Sequence, residues 1–164
     1  MTEATSEDVL RTEVHAAWDL WPVPDPADLQ TLADEWGVKV WTAFAGVPPL
    51  EVDIGSSEFL QCTPLLDLPP PAAAAYLGTY LLSFLHSATL QRNTGMFYDF
   101  TTRAHLLVCL QNENFWRTCL IPCMFPRARI TVRNFVDYLI HNQEFFAVIP
   151  EDLTAMRRFA LALT

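Results

Sequence analysis

Hydrophobic and polar positions along this chain follow two different periods. Leu10, Val14, Ala17, Trp18 and Trp21 recur at helical spacing behind Ser6, which predicts an amphipathic helix with Ser6 as its N-cap. The prolines of 22–26 break it. Asp25 is placed to cap a second helix with Pro26 at its first position, Leu29, Leu32, Ala33 and Trp36 as its apolar stripe, and Gly37 as its stop. The period then becomes two. Leu50, Val52 and Ile54 alternate with Glu51 and Asp53, giving one apolar and one solvated face. Residues 38–44 supply the expected partner strand, and Ala45-Gly46-Val47-Pro48-Pro49 the reversing loop.

A third extended run over 58–66 leads into Pro69, Pro70 and Pro71, which open a long helix. From 68 to 91 that segment holds no charged residue, and it is long enough to cross a bilayer. Tyr76, Thr79, Ser83 and His86 nevertheless share one helical face, and lipid would leave such a stripe without hydrogen-bond partners. The expectation is a helix covered by protein on most sides.

Beyond it, Arg92-Asn93-Thr94-Gly95 reads as a stop and turn. The runs 96–100 and 106–110 predict a second hairpin, with a helix over 97–110 as the other drawing of the same residues. Pro122 demotes 115–125 to an edge strand. Thr131 reads as the N-cap of a helix bearing Val132, Phe135, Val136, Leu139 and Ile140. A last helix carries Leu153, Met156, Ala160 and Leu163. The sum is one α+β domain over 1–164, with an antiparallel sheet of about five strands, a long central helix, flanking terminal helices and a disordered tail at 1–7.

Charge changes this picture in one respect. Residues 1–56 hold eleven acidic residues against Arg11 and Lys39, whereas the remainder holds eight acidic residues and eight arginines. The whole net charge of −9 therefore sits in the first third. Such a field repels phosphate backbones, arguing against nucleic acid, and attracts a basic protein. The acidic N-terminus lacks the basic start and apolar stretch of a secretory signal, so Cys62, Cys109, Cys119 and Cys123 are expected to be cytoplasmic thiols.

Three stretches together resemble a known family. They are Phe59-Leu60-Gln61-Cys62-Thr63-Pro64-Leu65 running into the prolines, 95–100 followed by 105–110, and 135–142 with Glu144-Phe145-Phe146. Their order is similar to that of the class I type III secretion chaperones, the Tir-chaperone group, and of the YbjN-like regulators. That resemblance implies a homodimer built on the long helix that holds an extended segment of a client protein. Tyr76, Tyr80, Leu81 and Phe84 are the interface candidates, since an apolar helix needs cover on more than one side and aromatics are enriched at contacts.

Four of the five tryptophans lie in the acidic third. Aromatic anchors ringed by acid suit a basic amphipathic segment, with Trp21, Trp41, Phe44, Glu51 and Asp53 as client-binding candidates and Trp18 and Trp36 as core residues. An inhibitor or immunity-type protein acting on a basic folded partner is the alternative. Another is a small zinc protein using His105, Cys109, Cys119 and Cys123, although neither pair has the CxxC turn of a zinc ribbon. No phosphate loop, HExxH or GxSxG is present, so the chain is read as non-catalytic and without a cofactor.

Overall fold

The structure, a computed structural model, describes residues 6–29, 35–61, 65–96 and 100–164. In chain order these form α1 (Glu7–Trp18), α2 (Pro26–Leu29), α3 (Glu35–Phe44), a 3-10 turn (Pro49–Glu51), α4 (Ser57–Leu60), α5 (Pro70–Thr94), α6 (Phe100–Gln111), α7 (Glu113–Phe115), a π-turn (Trp116–Leu120), α8 (Ile121–Cys123), α9 (Pro126–His141), α10 (Gln143–Phe146) and α11 (Pro150–Ala162). Among the described residues none lies in a strand, so the expected α+β fold is corrected to an all-helical one.

The central element is α5. Pro70 and Pro71 occupy its first turn, where a missing N–H leaves nothing unpaired. Gly95 ends it in the left-handed region (φ 70°), its N–H donating to the Gln91 carbonyl. Within α5, residues 72–88 are buried throughout except for His86. The cover comes from the chain's own α1, α6, π-turn, α8 and 3-10 turn. Tyr76, Tyr80, Leu81 and Phe84 are thus interior residues of this chain, each at most 1% exposed. Among the described residues, no helix is long and apolar enough to cross a membrane.

Helix α1 runs antiparallel to α5. Ser6 Oγ accepts the Val9 N–H as expected of an N-cap (3.3 Å), and Leu10, Val14 and Trp18 are buried. Trp18 Nε1 donates to the Ala74 carbonyl (3.2 Å), while Arg11 Nη2, seven residues earlier, reaches Thr89 Oγ1 (3.1 Å). The N-terminal end is clamped by a network. Glu7 Oε1 accepts from both Arg92 Nε and the Tyr138 hydroxyl, and Arg92 Nη2 also donates to Asn142 Oδ1. One carboxylate therefore ties α1 to α5 and α9.

The first predicted hairpin fails for a physical reason. Residues 38–44 lie in α3, with Val40 and Phe44 buried four residues apart and Trp41 turned outward, and Gly37 sits inside the helix instead of ending it. Alternating burial at 50–54 is real, but the segment lies along α5 and, among the described residues, has no ladder partner. The Thr79 hydroxyl donates to the Pro49 carbonyl (2.6 Å), and the Tyr76 hydroxyl lies within hydrogen-bond reach of the Phe44 and Val47 carbonyls (2.7 and 3.2 Å). In the run 58–66, Ser56 caps α4 and Phe59 enters the core. Leu32, Ala33, the Trp36 side chain, Cys62 and residues 97–99 lie outside the described residues.

The second hairpin is the helix α6, in which Thr102, Arg103, Leu106, Cys109 and Leu110 are buried at helical spacing. The segment read as an edge strand is helical around Pro122. Proline cannot donate to the carbonyl four residues back. The helix widens there, and the Ile121 N–H reaches the Trp116 carbonyl five residues back. Helix α9 begins at Pro126, five residues before Thr131, the predicted N-cap, which is therefore buried in mid-helix.

Candidate functional site

Sequence reading placed a client surface on five residues, and the structure distributes them. Phe44 is fully buried, packed among Phe59, Tyr76 and Tyr80. Trp41 is partly exposed on α3. Glu51 and Asp53 are exposed, and Asp53 Oδ1 accepts the Gly55 N–H (3.0 Å) in a local turn. Trp21 is buried, 8% exposed, stacked on Trp18 (centroids 5.3 Å) and in contact with Phe125 (4.6 Å).

Exposed apolar residues flank Trp21 in the chain and meet it at Phe125. Leu20 is 90% exposed, Phe125 49% and Val23 42%. Pro22 and Pro24 hold the α1–α2 connection out of helix, so Leu20 and Val23 flank Trp21 without being drawn into the interior. Asp19 and Asp25 stand exposed on the same connection and Asp28 on α2, and exposed Arg127 lies two residues after Phe125. The signal was available as apolar residues inside a proline-broken acidic linker.

A second feature lies along α5, beneath the 49–60 segment. One cavity of about 230 Å³ is bounded by Arg11, His15, Leu82 and His86 on the helices and by Leu50 and Val52 opposite. Another of about 210 Å³ adjoins it, lined chiefly by Leu60, Ser83 and Leu90. Ile54 and His86 belong to both, so the two form one groove. Arg11 is held at its edge by Asp8 Oδ1 (2.6 Å) and Thr89. Sequence reading had assigned His86 to a covered polar stripe; it is the one position in that stripe that faces outward.

The remaining candidates concern His105 and the cysteines. His105 Nε2 accepts the Leu65 N–H (3.2 Å) and lies 3.6 Å from Cys109 Sγ. Burial lowers the His105 pKa against a smaller opposing effect of Asp67, and the same burial pushes the Cys109 thiol up to about 12. A fully buried thiol held in its neutral form is a poor nucleophile. Cys119 and Cys123 are half-buried on the π-turn and α8. The Cys123 thiol is raised by burial and then by its neighbour Cys119. Among the described residues, no group of three or more His, Cys, Asp or Glu side chains is placed to hold a metal ion.

Comparison of the chain with protein-family models, with characterised proteins and with solved structures returned no match in any of the three.

Proposed function

We propose that this protein is a non-catalytic binding module that docks a basic amphipathic segment of another protein on the Leu20–Trp21–Val23–Phe125 surface. The observation that carries the reading is the exposure of Leu20, Val23 and Phe125 around the buried Trp21 that Phe125 contacts, with Asp19, Asp25 and Asp28 exposed on the same stretch of chain. An aromatic contact backed by a rigid core suits an anchor residue of a partner, because little side-chain entropy remains to be lost there. The confinement of the net charge to the first third favours a basic partner by steering it to this side. The buried, neutral state of Cys109 beside His105 supports a structural role for the pair that most resembles a catalytic couple.

A synthetic Lys/Leu amphipathic peptide, followed by tryptophan fluorescence and calorimetry against a Glu/Leu peptide of the same pattern, tests this. The Lys/Leu peptide should bind and weaken by roughly tenfold as salt rises from about 50 to 300 mM. The paired substitutions Leu20→Ser and Val23→Ser, both at exposed positions, should weaken it by about tenfold again while leaving the melting temperature unchanged. Equal binding of both peptides, or binding insensitive to the two substitutions, would overturn the proposal.

A further inference from the structure

We infer that the groove between α5 and the 49–60 segment is a binding site for a single-chain amphipathic anion, with the head group between His15 and His86 and the aliphatic chain running toward Leu60 and Leu90. This site is separate from the Trp21 surface.

Charge is the first argument. In a chain of net charge −9, the groove presents Arg11, His15 and His86, and among the described residues no Asp or Glu lines either cavity. Arg11 is partly neutralised by Asp8 and anchored to Thr89, so it is a fixed edge. The two imidazoles are exposed on neighbouring helices and, among the described residues, have no hydrogen-bond partner. Each therefore has a ring N–H available to donate to an anionic oxygen.

The shape of the groove is the second. Its basic groups are concentrated in one cavity, whereas Leu60 and Leu90 belong to the other, with Ile54 and His86 at the junction. Within residues 72–88 of α5 every position except His86 is covered. The α5 floor alternates Leu82 and Leu90 with Thr79, Ser83 and Ser87, whose hydroxyls are buried, and His86 is its one exposed polar side chain. Together the two volumes fall toward the lower part of the range for small-molecule pockets, about 300–1,000 Å³, which fits one short aliphatic chain and not a two-chain lipid.

The test is calorimetry of the full chain with decanoate, decyl phosphate and decyltrimethylammonium, each below its critical micelle concentration. At least one anion should bind about tenfold more tightly than the cation of equal chain length, and the tighter of the two identifies the head group as carboxylate or phosphate. The paired variant His15→Gln, His86→Gln should reduce anion binding by about tenfold without moving the melting temperature. Ile54→Trp, which fills the junction, should block it altogether. Equal binding of anion and cation, or anion binding unchanged in either variant, would overturn the inference.

Discussion

At position 78 a hydrogen atom is all that fits. A Cβ built on Gly78 would lie 2.6 Å from Trp18 Cγ and 2.8 Å from Cδ1, far inside van der Waals contact with a ring that is itself 1% exposed. The indole cannot retreat without breaking its hydrogen bond to the Ala74 carbonyl and its stack on Trp21. Gly78→Ala should therefore destabilise the protein by about 1–3 kcal/mol even though alanine is the better helix former. At this chain length each kcal/mol lowers the melting temperature by roughly 2–4 °C, so calorimetric melting reads it directly. Combining the change with Trp18→Leu should recover part of the loss, because the smaller side chain vacates the space that the methyl needs.

At the scale of elements, contacts between chain segments, apolar and polar, override local preference, and this separates the legible parts of the fold from the rest. Helices α1, α5 and α11 were readable because Leu10, Val14 and Trp18, the proline-opened uncharged run, and Leu153, Met156 and Ala160 each show burial at their own spacing. The strands were not, because β-branched and aromatic residues at 38–44 suit either a strand or a helix, and only the burial of Val40 with Phe44 decides. Arg129 shows the same override at the start of α9. A cation near a helix N-terminus is unfavourable by a few tenths of a kcal/mol. The guanidinium instead donates to the Ile121 (2.8 Å) and Met124 (3.3 Å) carbonyls and so caps the end of α8 across the Phe125–Pro126 junction. Arg129→Met is expected to cost about 1.5–3 kcal/mol in urea unfolding. Arg127→Met, at an exposed position on the same turn, should be neutral or slightly stabilising.

For the whole molecule, the candidate sites were less legible than the core because both depend on residues distant in sequence. Trp21 could be singled out, but its partner Phe125 and the groove's pairing of His15 with His86 exist only once α1 lies against α5 and α9. That same assembly encloses neutral titratable groups, which should set the pH range of stability. His105 is lowered from 6.5 by burial, and protonating it would remove the acceptor of the Leu65 N–H. Its contribution is complete above about pH 6.5 and is lost as the pH falls toward the folded-state value, since the unfolded chain then binds the proton more readily. Tyr76 behaves in the opposite sense. Burial raises it from 10.0 to about 12, so its contribution is complete below pH 10 and declines as the pH rises through that interval. By pH 11 the loss from this one group is about 1.4 kcal/mol. Tyr76→Phe should be less stable than the parent by about 1–2 kcal/mol at pH 7, where the hydrogen bonds to the Phe44 and Val47 carbonyls are missing. Because phenylalanine does not ionise, the gap between the two proteins should narrow by about 1.4 kcal/mol at pH 11. Urea unfolding of both proteins at the two pH values measures it; a gap that stays constant would mean that the hydroxyl ionises equally easily folded and unfolded, and that α3 and α5 do not close over it.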